Sequence, residues 1–498
     1  METGGYFNGA TALGCGAPLK ALSAAARRTR VFDGRGHATA AQIIGAIVVG
    51  FVAAFVAATM DPVIAASLGG GVVLVLLGLR WPLLPLFVFV ALVPIEDTLN
   101  IGGLGTLSRW SGIVFAGVYA IPRIGRLVPG ALPLTVWAYV GWAVLSVAWA
   151  VDPWVAQGQL QTLVQLAIIG FLVADVVIHD PTVVRPLLWA YSISAAATAA
   201  IGIGTYLVGG PAADGRAAAI ANQNPAQFAS LLLPALIFGL HELLNRRYAA
   251  ASGLVALLCT AGIVVSGTRS VWLAAALVTF FLLMPRLGFR RAIVALAVVG
   301  VLVLATFQIP GVAGLVAERT GSAASSGGAG RTDIWAVGIE IFDSSPVIGL
   351  GYANFPVAFT AAVIRSANVT IDVGAGRGPH NVIIGTAGEL GIVGLVLLAL
   401  FVLPLVLRRG WGPDALVVQA ILASLMIDAL FLDILSNRKQ VWVAIGLAAG
   451  LAYLAREARR RGDAEEVGAG ARTTTGDLSL PRPTRRKAIT ATAPGSTA

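Results

Sequence analysis

The sequence predicts an all-α integral membrane protein with about 12–14 transmembrane helices and one large extracytoplasmic loop. Two observations predict it. Of 498 residues, 57% are hydrophobic and 12% are charged, about half the charged share of an average soluble domain. Uninterrupted apolar stretches also recur from residue 41 to residue 455. An ordinary soluble globular protein is excluded, and so is disorder except at the two ends.

A hydrocarbon layer of about 30 Å takes about 20 apolar residues of helix, with roughly 17–25 as the working range. Candidate spans lie near 41–59, 62–79, 81–95, 110–122, 131–150, 161–179, 186–208, 225–240, 249–267, 271–284, 291–309, 381–407, 413–432 and 440–455. Those at 81–95, 110–122 and 271–284 are short and read as re-entrant or buried pieces. Around the spans, residues 1–40 form a basic, disordered cytoplasmic tail, and residues 456–498, rich in Arg, Thr and Pro, form a second one. Residues 41–309 and 381–455 hold the two sets of spans, separated by the loop 310–380. No cleavable signal peptide is expected, because the first long apolar stretch starts only at Ala41.

Basic residues orient this arrangement, since cytoplasmic loops collect Lys and Arg. With the N-terminus inside, both tails and the loops bearing Arg80, Arg123, Arg126, Arg185, Arg246, Arg247, Arg286, Arg290, Arg291, Arg408 and Arg409 face the cytoplasm. The outer loops then keep Arg109, Arg216, Arg269, Arg319, Arg331, Arg365, Arg377, Arg438 and Lys439. Both termini are expected inside and the long loop outside. The tails supply most of the net charge of +10, which points to an anionic membrane surface rather than to nucleic acid. Cys15 and Cys259 build no disulfide framework, and four scattered histidines make no metal cluster. No metal or cofactor is expected.

Loops as long as 310–380 usually carry a role. A flexible Gly/Ser/Ala run at 321–328 opens this one. After it, Thr332–Phe342 has helical spacing with Ile334, Val337 and Ile341 on one face, as a helix lying along the membrane surface would.

Candidate chemistry gathers at the outer loops. Arg269 is wedged between two apolar runs, where it reads either as a snorkelling interfacial arginine or as a contact for an anion. His380 stands where the long loop re-enters the membrane, as a structural imidazole or as a base that titrates near neutral pH. Glu389 and Asp428 fall inside spans, where a carboxylate needs a partner or a cavity. Arg216 belongs to another outer loop with Asn222 and Asn224. Together Arg216, Arg269, Arg331 and His380 put three guanidiniums and one base on one face. Guanidinium forks match phosphate oxygens with paired hydrogen bonds, so the set suits a diphosphate leaving group attacked by an alcohol. Ordinary loop arginines are the alternative.

Three runs carry a family likeness in order: Ser266-Gly267-Thr268-Arg269-Ser270-Val271-Trp272-Leu273-Ala274, Gly349-Leu350-Gly351-Tyr352-Ala353-Asn354-Phe355, and Pro379-His380-Asn381 followed by Gly388-Glu389-Leu390-Gly391-Ile392-Val393-Gly394-Leu395. Their spacing around one large outer loop resembles the O-antigen ligase and O-antigen polymerase superfamily over roughly residues 210–435. The resemblance implies a GT-C-like helical architecture in the inner membrane. It implies a metal-independent glycosyltransferase of cell-envelope polysaccharide assembly, working on the outer face. Such an enzyme passes a glycan from a polyprenyl-diphosphate carrier, such as undecaprenyl diphosphate, to an acceptor hydroxyl on a surface lipid, a glycan or a protein. By the same resemblance His380 maps onto the catalytic base and Arg269 and Arg331 onto diphosphate-binding arginines. Arg216 maps more loosely, and Asn381 and Glu389 stand as supporting residues. Ligase, repeat-unit polymerase and protein glycosyltransferase differ in acceptor, and the sequence leaves them open. A glycolipid or anion transporter is the competing class, since carriers also use many spans and intramembrane carboxylates.

Overall fold

A computed structural model of the chain describes residues 62–98, 105–209, 218, 223–290, 293, 331–365, 377–407 and 410–475. The expected spans at 41–59 and, apart from residue 293, at 291–309 lie outside the described residues, as do the N-terminal tail, the run at 321–328, Arg216 and Asn222. All regular structure among the described residues is helical. The chain divides into residues Met1–Leu454 and Ala455–Ala498.

In chain order the helices are α1 (Pro62–Arg80), α2 (Leu84–Leu92), α3 (Leu107–Ala120), α4 (Leu134–Leu145), α5 (Pro153–His179), α6 (Val184–Gly209) and α7 (Pro225–Leu244). Then follow α8 (Ala249–Val265), α9 (Arg269–Leu287), α10 (Arg331–Ser344), α11 (Phe355–Arg365), α12 (Val382–Leu407), α13 (Ala415–Asp428) and α14 (Lys439–Thr475). Five helical segments among the described residues are long and apolar enough to cross a membrane: Pro153–His179, Pro181–Val208, Pro225–Leu244, Val382–Leu407 and Lys439–Arg461. Six shorter apolar helices accompany them. The short stretches have a local cause. After α2 and α3 the chain tightens into 3-10 turns, Val93–Thr98 with Pro94 and Ile121–Arg126 with Pro122, because proline cannot donate to the helical ladder. The protein is an all-α integral membrane protein.

One large core runs through α2 to α9 and α12 to α14. Where α5 meets α14 the contact is made by small residues. A Cβ added to Gly446 would lie 2.5 Å from the Gly170 carbonyl oxygen, and one on Gly450 would lie 2.8 Å from that of Ala174. Backbones approach that closely only through small side chains spaced four apart, the usual device where lipid removes the hydrophobic drive for helix association.

Two expectations change. The helix of the long loop forms, and Ile334, Val337 and Ile341 do share a face, but that face is covered by protein. It packs on Phe355, Ala358, Phe359 and Ala362 of α11 in a second, separate core, so the apolar stripe is spent on protein rather than laid on lipid. Where a disordered tail is expected from residue 456, α14 instead continues to Thr475. Ala, Arg and Glu dominate its extension, and all three propagate helix well.

Candidate functional site

The site is built where several helices begin. Asn381 caps α12, its Oδ1 accepting from the N–H groups of Ile383 at 2.8 Å and Ile384 at 3.1 Å. Asn224 caps α7 in the same way, accepting from the Ala226 N–H at 2.9 Å. The cap at Asn381 leaves His380 just outside α12 with φ +48°, a left-handed conformation that costs a non-glycine residue about 1 kcal/mol or more. The Val382 N–H, two residues on, donates to the Ala429 carbonyl at 2.8 Å, which ties this turn to the end of α13.

Arg269 is the first residue of α9 and Arg331 the first of α10. That is the unfavourable end for a cation, because a helix start already carries partial positive charge. Lys439, first in α14, shows how such a charge is normally met. It donates to Glu96, which also receives the Ser108 hydroxyl at 2.9 Å and lies 3.8 Å from Arg438. Arg269 and Arg331 make no such pair among the described residues. Arg331 is half-buried and Arg269 exposed. Burial, and then the charge of Arg269, push Arg331 below its usual guanidinium value, while Asp428 acts in the opposite sense. Burial likewise lowers His380 below its usual value, with the charges of Arg331 and Arg377 adding to the effect. His380 is therefore a neutral imidazole at pH 7, set among cations. Such an arrangement is suited to a polyanion, which helix starts and guanidiniums both attract.

Arg331 is thus within electrostatic reach of both Arg269 and His380, and Arg216 lies outside the described residues. Arg377 joins them; it stands three residues before His380 in the sequence, which is the signal that could have found it. Asn381 serves through its cap.

Glu389 sits elsewhere. Its carboxylate accepts from the Phe355 N–H at 3.3 Å and so caps α11. A small cavity beside it is lined by Tyr139, Tyr352, Asn381, Thr386, Asp433 and Ser436, and burial raises the Asp433 carboxyl above its ordinary value. Pro379 and Asn381 line this cavity while His380 does not.

The other two motif runs hold the scaffold together. Gly391, at φ +66° and ψ −164°, breaks α12. The freed Gly388 and Glu389 carbonyls accept from the Leu350 and Gly351 N–H groups at 2.9 Å, and the Leu390 carbonyl accepts from Trp142 Nε1 at 3.0 Å. A Cβ on Gly391 would lie 2.2 Å from the Val347 carbonyl oxygen, and one on Gly349 would lie 2.3 Å from that of Glu389. The buried Asn354 then latches this loop to the turn before α5. Its Oδ1 accepts from the Asp152 N–H at 2.6 Å and its Nδ2 donates to the Asp152 carbonyl at 3.3 Å.

Residues 254–399 match the family model described as O-antigen ligase. This supports an O-antigen ligase-like superfamily for the chain, and that family suggests a glycosyl-transfer enzyme of the inner membrane. The matched segment contains Arg269, Arg331, His380 and Glu389, and leaves Arg216 and Asp428 outside it. No curated protein matches the chain.

Proposed function

We propose that the protein transfers a glycan from a polyprenyl-diphosphate carrier to an acceptor hydroxyl, without a metal, on the outer face of the inner membrane. One observation carries the reading: arginines that open two helices without a hydrogen-bonded acid among the described residues gather with a buried histidine, Arg331 acting on His380 and Arg269 on Arg331. The acceptor oxygen attacks the anomeric carbon and the bond from that carbon to the diphosphate oxygen breaks. His380 takes the hydroxyl proton, and the diphosphate leaves with the electron pair. Arg269 and Arg331 receive the charge that develops on it, a task often given to a metal ion. Arg377 adds to the field, and Arg216 completes the set by resemblance. The site's position at helix starts, with its arginines facing no acid at hydrogen-bond distance among the described residues, favours an enzyme over the transporter reading.

The test is the length profile of carrier-linked glycans in cells lacking the native copy and expressing wild-type or His380→Ala protein. Single repeat units accumulating with His380→Ala indicate a polymerase. Finished chains stranded on the carrier indicate a ligase. Identical profiles, with the protein at normal level in the membrane, remove His380 as the base.

A further inference from the structure

Asp428 closes α13 and is fully buried. Neither carboxylate oxygen closes a hydrogen bond of ordinary geometry among the described residues, and the hydroxyls near enough to act on it as donors are those of Ser230 on α7 and Ser270, beside Arg269, on α9. Two neutral hydroxyls do not replace water around a buried carboxylate, which costs several kcal/mol unless a cation stands close by. The backbone around Asp428 brings it near the helix start that bears Arg331. Ala429 accepts from the Val382 N–H, next to the cap that follows His380. Phe431 meets Trp335, one turn along α10 from Arg331, with ring centroids 6.4 Å apart. Asp428 thus lies where the starts of α9, α10 and α12 converge on the end of α13, and the charge it acts on is that of Arg331.

We infer that Asp428 is a positioning residue, whose buried carboxylate holds the Arg331 guanidinium in the orientation that receives the leaving diphosphate. The inference rests on the reading of Arg331 as a diphosphate-binding group. Because the pair attracts without closing a hydrogen bond, the N–H donors of Arg331 are not consumed by its counterion. A hydrogen-bonded pair would hold the arginine as firmly but would have to break before phosphate could bind. Arg269 repels Arg331, so removal of Asp428 leaves that repulsion unopposed by the attraction that holds the guanidinium.

The sign of the effect separates this from simple charge. If Asp428 acted on the diphosphate through space, its removal would strengthen anion binding. If it positions Arg331, removal weakens binding. The experiment uses the full-length chain in lipid nanodiscs with a sugar-free polyprenyl diphosphate as probe, and binding is referred to folded protein. Asp428→Asn, nearly isosteric, is expected to bind about tenfold more weakly, and in an Arg331→Ala background it should add no further loss. Asp428→Glu keeps the charge and decides the matter if the Asn variant does not fold; it should stay within about threefold of wild type. Unchanged or tighter binding by Asp428→Asn, losses that add to those of Arg331→Ala, or a Glu variant as weak as Arg331→Ala overturns the role of Asp428. Normal binding by Arg331→Ala overturns instead the diphosphate reading beneath it.

Discussion

The two ends of α13 treat buried charge in opposite ways, about 20 Å apart along the helix. At its start, Asp414 accepts from Arg185 of α6, and the fully buried Glu242 of α7 lies 3.7 Å from the same guanidinium. Two carboxylates share one arginine there, and the cation is spent. At its end, Asp428 acts on Arg331, which Arg269 also acts on, while Arg331 and Arg377 both act on His380. Cations are in excess there, and among the described residues their donors meet no acid at hydrogen-bond distance. The first arrangement is that of a stabilising tie between helices. Keeping arginines together at helix starts costs stability, and the cost makes sense only where an anion arrives to offset it.

Substitutions can break this contrast. Arg331→Ala should reduce kcat/KM for transfer by about 100-fold, and Arg269→Lys should remain impaired by at least about tenfold, because lysine keeps the charge but loses the paired fork. Initial rates at fixed acceptor check both, and near-normal activity with lysine would mean that Arg269 acts as a point charge. Arg185→Ala, at the other end, should instead lower stability by about 3 kcal/mol, since it strands Glu242 without its cation. Its transfer rate per folded molecule should be unchanged, as thermal unfolding and assay of the same preparation would reveal. A loss of rate with no loss of stability would erase the distinction between the two ends.

A subtler effect lies in the pH profile. His380 titrates below its ordinary value because of burial and of Arg331 and Arg377. As a base it works unprotonated, so kcat/KM should fall as pH drops through a midpoint below about 6.5. Bound diphosphate offsets the neighbouring cations and favours the imidazolium, so the acid limb of kcat should lie at higher pH than that of kcat/KM. Arg377→Ala should move the limb of the free enzyme upward by a fraction of a unit. A limb that stays put in Arg377→Ala would detach Arg377 from the site.

Much of the site was legible because its parts are punctuation. His380 follows Pro379 and precedes the capping Asn381, and Arg269 and Arg331 open apolar helices where a cation is out of place. Glu389 was less readable: a carboxylate in an apolar run looks the same whether it serves catalysis or, as here, caps α11. The loop helix showed its apolar face clearly, but periodicity does not say whether that face meets lipid or Phe355 and Phe359. Asp428 could be marked as costly in an apolar span, yet nothing nearby in sequence tells which arginine it answers.

The sequence by itself determined the membrane class, the helical character and the order of the motif runs, because hydrophobic content and caps act over a few neighbouring residues. Tertiary structure alone decided that Arg331 comes within reach of both Arg269 and His380, that Gly391 opens α12 to the loop at Leu350 and Gly351, and that Asp428 acts on Arg331. Those relations depend on how α9, α10, α12 and α13 pack, and packing is set by contacts between residues far apart in the chain, which no local pattern records.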